Sequence, residues 1–456
     1  MRIHFIAIGG AVMHNLAIAL HKKGNIVTGS DDEIFEPSRS RLFNAGLLPD
    51  KQGWNTDLIS KQIDVVILGM HAREDNPELI KARELGLDIK SFPEFLYQET
   101  KDKMRIVIGG SHGKTTITSM IMHVLKSSGI KFDYMVGSII EGFDTMVGLD
   151  DRSEIAVFEG DEYLTSTLDR RPKFHLYKPD IAVISGIAWD HINVFPEFDN
   201  YLDQFRIFTD KISNEGTLIY FKDDERVSSI ARKSRSDINK IPYSVHKYTT
   251  GPGGCTIRHN NREYQLRIFG EHNMQNLNAA KKVCECIGVE GDAFMEAISV
   301  FRGSARRLEL LKKNNNAALF LDFAHAPSKV RASVSALAER YPDHKKICCF
   351  ELHTFSSLNP VFLKEYKDCL KEADNGYIYY NPAVLAHKKL DPLSKEYVAE
   401  VFGSGVTKVF DDSNNLISEL KKKKPDRVVY LFMSSGNFNN TDFKMLSDSL
   451  IKEDQK

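Results

Sequence analysis

The residues Gly109-Gly110-Ser111-His112-Gly113-Lys114-Thr115-Thr116 follow the apolar run Ile106-Val107-Ile108 and close on a lysine and two hydroxyls. Glycines in such a turn let successive backbone N–H groups face one anion, and the helix that follows adds the positive end of its dipole. Lys114 then neutralises phosphate oxygens, and the Thr115 hydroxyl suits a Mg²⁺ shell. The chemistry indicated is that of a nucleoside triphosphate. Three residues separate Gly109 from Gly113, one fewer than in the common phosphate-loop pattern. A glycine-rich turn without a ligand is the alternative reading of these residues.

Other groups could complete such a site. Glu159-Gly160-Asp161-Glu162 and Asp190-His191 each follow an apolar run. Glu159 offers the hard oxygen that Mg²⁺ prefers; His191 is either a further ligand or a loop-capping histidine. Gly270-Glu271-His272-Asn273-Met274-Gln275-Asn276 supplies amides ahead of an alanine-rich segment, for reading adenine or for capping a helix. Arg306 and Arg307 could clamp a phosphoryl group or make surface ion pairs. Asp322 and His325 follow a further apolar run. Near the N-terminus, Gly9 and Gly10 lie in a turn that partly matches a dinucleotide fingerprint, with Ala7 and Val12 in two of its glycine positions. Asp31 follows Ser30 where an acidic residue commonly meets a ribose.

These groups must be carried on strand ends. Apolar runs over 3–8, 25–29, 65–69, 155–158 and 181–184 alternate with helical spacing, as at Ile117, Met120, Ile121, Val124 and Leu125, which stops at Gly129. Further strands are expected over 318–321, 346–350 and 428–433. Such alternation predicts an α/β chain with parallel, helix-covered sheets. At roughly 150 residues per domain, 456 residues suggest about three domains, placed at 1–100, 101–304 and 305–456. The expected architecture is a Rossmann-like first domain, a central phosphate-loop ATPase sheet and a Rossmann-like third domain.

Composition narrows the function classes. With 42% hydrophobic residues, 27% charged residues and a net charge of −1, the chain reads as a globular protein without a basic face for nucleic acid. The lysine run at 421–424 reads as a solvated helix end. Six cysteines lack paired metal spacing and predict buried, reduced thiols. No apolar run reaches the roughly 20 residues of a membrane helix, and no signal pattern opens the chain, so a cytoplasmic location is expected.

Taken in order, the phosphate loop, Glu159 to Glu162, Asp190-His191, the amide run, Arg306-Arg307 and Asp322-Phe323-Ala324-His325-Ala326-Pro327 resemble the Mur ligase family of peptidoglycan synthesis. The shortened loop is that family's own form. The resemblance implies an ATP-dependent ligase that activates the carboxylate of UDP-N-acetylmuramate as an acyl phosphate and joins it to an amine. It also implies roles. Gly110, Ser111, His112, Gly113, Lys114, Thr115 and Thr116 would bind ATP, with Asn276 at adenine, Arg307 near phosphate and Asp322 near ribose. Thr115 and Glu159 would hold one Mg²⁺ and His191 a second, while Lys114, His191 and Arg307 would be catalytic. Gly9, Gly10, Ser30 and Asp31 would bind the UDP-sugar.

Two branches compete for the amine. The segments Ser30 to Pro37, Asp169-Arg170-Arg171-Pro172-Lys173-Phe174, Trp189-Asp190-His191 and Met433-Ser434-Ser435-Gly436 resemble the recycling branch. That branch takes the murein tripeptide L-Ala-γ-D-Glu-meso-diaminopimelate. Glu351-Leu352-His353-Thr354-Phe355-Ser356 is closer to the L-alanine-adding branch. The balance favours the tripeptide. No lysine falls between Tyr201 and Phe208, where several other branches carry a carbamylated one. The rival readings are a nicotinamide-dependent or nucleotide-sugar oxidoreductase built on the Gly9 turn, and a nucleotide switch without catalysis.

Overall fold

A computed structural model describes the chain apart from His71, Thr167, Asp190, His191 and residues 252–253, 304–305, 423–424 and 453–456. The first sheet contains β1 (Arg2–Ile6), β2 (Ile26–Ser30), β3 (Val65–Leu68) and β4 (Ile89–Ser91) in the order β2-β1-β3-β4. All its pairings are parallel. The second sheet is built from β5 (Met104–Gly109), β6 (Phe132–Met135), β7 (Val147–Gly148), β8 (Ile155–Glu159), β9 (Ile181–Ile184), β10 (Thr217–Phe221) and β11 (Asn239–Tyr243). Its order is β11-β10-β9-β5-β8-β6-β7, parallel except for β7. Buried on both faces, β3 and β9 carry no polar residue, which is why they read as continuous apolar runs.

A small antiparallel sheet follows, formed by β12 (Thr249–Gly251), β13 (Gly254–His259) and β14 (Arg262–Leu266). The last sheet contains β15 (Glu309–Lys313), β16 (Ala317–Asp322), β17 (Lys345–Leu352), β18 (Asn375–Tyr380), β19 (Val406–Phe410) and β20 (Val428–Met433). Its order is β15-β16-β20-β17-β18-β19, and β15 alone runs antiparallel. Neither β15 nor the small sheet is foreseen by an all-parallel reading, because their strands are half exposed and charged: β15 reads Glu-Leu-Leu-Lys-Lys.

The chain divides into two compact units. One comprises Met1–Ile187, Glu197–Ser244 and Leu277–Ala297; the other comprises Ala188–Pro196, Val245–Asn276 and Ile298–Lys456. The first two sheets therefore share a unit, and polar clips join them. The Arg105 guanidinium donates to the carbonyls of Thr100, Lys101, Lys103, Tyr177 and Lys178, fastening the connection into β5. Buried Asn15 accepts from Arg41 and from the Met146 N–H, each at 3.0 Å. Leu168 packs on the apolar cluster of Ile6, Val66, Leu68 and Leu79.

Two expectations are corrected here. Cys286 is exposed, at the end of its helix, although the other five cysteines are buried and all six are free. The amide run does not precede its helix: Glu271–Cys286 is helical, so Asn273, Gln275 and Asn276 lie within its first turns, and Asn273 Nδ2 donates back to the Phe269 carbonyl at 2.9 Å. Among the described residues, no helix is long and apolar enough to cross a membrane.

Candidate active site

β5 ends at Gly109, and the turn behind it is held by backbone pairing to the end of β9. Ser185 N–H donates to the Gly109 carbonyl at 3.1 Å, and Ser111 N–H donates to the Gly186 carbonyl at 2.9 Å. Gly110 has φ +130°, and a Cβ there would run into Ser185 Oγ, so the backbone approach requires glycine. Gly113 takes φ +80° immediately before the helix Lys114–Ser127. The loop thus delivers its N–H groups and a helix N-terminus to one place, the arrangement that binds phosphate.

Lys114 reaches into this place and pairs with Glu162, whose side chain is fully buried. Burial alone would lower the lysine's pKa; the carboxylates of Glu162, Asp161 and Glu159 outweigh it and raise the pKa above the ordinary value. The ammonium is therefore charged at neutral pH. Thr115 Oγ1 donates to Glu159 Oε1 at 2.9 Å, and the other carboxylate oxygen of Glu159 accepts the Gly137 N–H at 2.7 Å. A hydroxyl and a carboxylate thus meet beside the lysine, a pair of hard oxygen donors that fits Mg²⁺. Among the described residues, no group of three or more His, Cys, Asp or Glu side chains could by itself hold a metal ion. An ion here would complete its shell from phosphate oxygens and water, as Mg²⁺ characteristically does.

The N-terminal turn is built differently. Ala7 adopts φ +67°, the conformation a fingerprint glycine would take. Gly9 N–H donates to Asp31 Oδ2 at 2.7 Å, while the Ser30 carbonyl accepts from Ala7 and Ile8. Asp31 is buried, and burial together with neighbouring Asp32 pushes its carboxyl up to about 7. Ser30 and Asp31 therefore do meet the Gly9 turn, with the carboxyl turned onto the turn itself. His14 and Asn15 lie in the helix Ala11–Lys22 behind it.

In the other unit, Asp322 ends β16 and is buried, accepting from Ser333 Oγ. Burial raises its pKa against the opposing pull of Ser333 and Arg307. The Arg307 guanidinium lies 4.9 Å from the centre of the Phe323 ring. Arg306 donates to the Gly436 carbonyl at 2.5 Å, and His325 Nδ1 lies 2.9 Å from the Phe323 carbonyl. Asn276 is buried on the helix Glu271–Cys286. At the carboxyl end of the last sheet, buried Glu351 accepts from Ser434 Oγ and from Phe438 N–H, with His353 Nδ1 at 4.0 Å.

The residues from Gly110 to Thr116 are thus brought together with Glu159 in the first unit, whereas Asn276, Arg307 and Asp322 belong to the second. His191 and Asp190 lie outside the described residues. Glu162, Tyr201 and Ser185 were missed as partners of the loop. Glu162 had a signal, as one of three carboxylates within four positions; Tyr201 had none.

Models of the Mur ligase catalytic and middle domains match residues 2–103 and 108–284. The UDP-N-acetylmuramate–L-alanine ligase of Lactobacillus acidophilus is 30% identical over 450 residues, covering 96% of each chain. The chain belongs to the Mur ligase family. Mur ligases are ATP-dependent enzymes that form amide bonds, so this is an ATP-dependent ligase. Two solved Mur ligases share its fold at 22% identity. A UDP-N-acetylmuramate–alanine ligase from Thermotoga maritima superposes with a TM-score of 0.68, covering 96% of this chain and 97% of that one. A murein peptide ligase from Psychrobacter arcticus gives 0.67 and covers 98% of each. The oxidoreductase and switch readings are thereby set aside.

Proposed function

We propose that this Mur ligase uses ATP to phosphorylate the carboxylate of UDP-N-acetylmuramate and joins the activated carbonyl to an amine. The observation that carries the reading is the loop itself: Lys114 held charged by buried Glu162, beside the Thr115–Glu159 pair. The loop N–H groups and the helix N-terminus would cradle the phosphates, and Lys114 would neutralise charge as the γ-phosphoryl group moves to the carboxylate. The amine then attacks the acyl phosphate, and phosphate leaves. Thr115 and Glu159 would hold Mg²⁺, which would supply charge neutralisation to the phosphates. We assign Asn276, Arg307 and Asp322 to the remainder of the nucleotide site, His191 to a second ion, and Gly9, Gly10, Ser30 and Asp31 to the sugar nucleotide. The three proposed domains are 1–100, 101–304 and 305–456, and use of ATP and a sugar nucleotide would suit a cytoplasmic reaction.

The names of the curated relatives favour L-alanine as the amine over the tripeptide expected from the sequence motifs. The tripeptide remains the second reading on one observation. The segment Asp169 to Phe174, which carries that resemblance, is ordered: Leu164 and Pro172 form an antiparallel bridge, and Lys173 pairs with Asp161 at 2.6 Å beside the site. Phosphate release with ATP and UDP-N-acetylmuramate, comparing L-alanine with the tripeptide, separates the two. Turnover with neither amine refutes the function.

A further inference from the structure

Two residues of the phosphate loop, Ser111 and Lys114, are joined to each other through Tyr201 and Glu162. Tyr201 lies on the helix Phe198–Asp210 and is fully buried, its ring packed edge-on to Phe205 with centroids 5.3 Å apart. Its hydroxyl donates to Glu162 Oε1 at 3.0 Å and lies 2.8 Å from Ser111 Oγ. A carboxylate oxygen can only accept, so the tyrosine proton goes to Glu162 and the Ser111 hydroxyl donates to the tyrosine oxygen. Glu162 holds Lys114 through its other oxygen. The result is a continuous chain, Ser111 to Tyr201 to Glu162 to Lys114, that begins and ends on the same loop.

We propose that Tyr201 is a positioning residue for phosphoryl transfer, fixing Glu162 so that Lys114 presents its charge to the phosphates at one set distance from the loop backbone. The inference rests on the reading of Lys114 as a phosphate ligand. A fully buried carboxylate must keep its partners, so Glu162 does not release Lys114 when ATP arrives. An ammonium has three N–H donors; one stays on Glu162 and the others are free to turn to phosphate oxygens. Without the tyrosine hydroxyl, Glu162 loses one hydrogen bond and its fixed orientation, and the lysine follows it. Misplacement of this kind acts on the transition state more than on ground-state binding.

The test is the Tyr201→Phe variant of the full chain, assayed by phosphate release with ATP, UDP-N-acetylmuramate and whichever amine turns over. The expected result is a fall in kcat of roughly 10- to 100-fold with KM for ATP within about twofold, and ADP still binding one per chain. Combining Tyr201→Phe with Ser111→Ala should cost no more than the worse single change, since both cut the same chain. Unchanged kcat, or losses that multiply, overturns the proposal. If Tyr201→Phe does not fold, Glu162→Gln attacks the chain from its other side, and wild-type kcat there overturns it equally. Activity retained in Lys114→Ala would instead refute the underlying assignment of the lysine, so the two failures are distinguishable.

Discussion

Two βα turns in the same unit start from similar glycine-rich sequences and end with different electrostatics, one charged and one close to neutral. Behind β5, the loop carries Lys114, whose charge is enforced by three carboxylates, and leads directly into a helix N-terminus. Behind β1, a turn N–H is already taken by the protein's own Asp31, and no lysine follows. Both turns sit at the carboxyl ends of parallel strands, where ligands bind in open sheets. Their difference shows that strand–turn–helix geometry supplies only the place. The side chain that reaches back onto the turn decides whether the turn carries a full positive charge or a weakly charged surface.

The largest expected effect breaks the first turn. Lys114→Ala should lower amide formation by roughly 100- to 1,000-fold, since one stabilising group in a transition state is commonly worth that much. Circular dichroism should show the fold intact. It would also leave Glu162 buried without its cation, so some loss of stability should accompany the loss of rate. Glu159→Gln removes the charge and keeps one acceptor oxygen, enough for Thr115 or Gly137 but not for both. A kcat loss of roughly 100-fold and a roughly tenfold higher Mg²⁺ requirement are expected from titration of activity with the ion.

A glycine pair sharpens the comparison by stability alone. At Gly110 the backbone is left-handed and Ser185 blocks a side chain, so Gly110→Ala should cost about 1–3 kcal/mol in urea unfolding. At Gly10 a Cβ would stand 3.3 Å from the flexible Met13 side chain with ordinary φ, and Gly10→Ala should stay within about 0.5 kcal/mol. Equal costs at the two positions would mean that the turns are not built differently.

The legible parts of this molecule are those whose physics is local. The phosphate loop announces itself because glycine, lysine and hydroxyl act within eight residues, and buried parallel strands such as β3 and β9 announce themselves as unbroken apolar runs. What stayed hidden is long-range. Glu162 is 48 residues from Lys114, and Tyr201 is 90 from Ser111. No spacing rule connects them, because their meeting depends on β8, β9 and the helix Phe198–Asp210 being packed first. The edge strand β15 was illegible for a different reason: its charged, half-exposed residues carry no burial pattern. Spacing places Asp31 just past the end of β2, where an acidic residue can serve either a ribose or the turn itself. Only the path of the chain, with Gly53 N–H donating to the Asp31 carbonyl, turns its side chain onto Gly9.

That carboxyl gives the smallest prediction and the one most specific to the second turn. Its pKa is pushed from 3.8 to about 7, so between those values the folded chain keeps a proton that the unfolded chain has lost. Stability contributed by Asp31 is therefore fully present below about pH 4 and declines as pH rises to 7. His175 acts in the opposite sense: burial lowers its pKa to about 4, so its neutral form favours the fold above 6.5 and that contribution is lost toward 4. Comparing wild type with Asp31→Asn cancels the histidine. The difference in urea midpoint should shift in favour of the variant as pH is raised from 5 to 8, because the amide never ionises yet still offers Gly9 N–H an acceptor oxygen. A difference that stays constant across that range would mean the carboxyl is ionised throughout. The Gly9 turn would then carry a full negative charge at neutral pH, and the contrast with the Lys114 loop would be one of opposite charges instead of charge against near-neutrality.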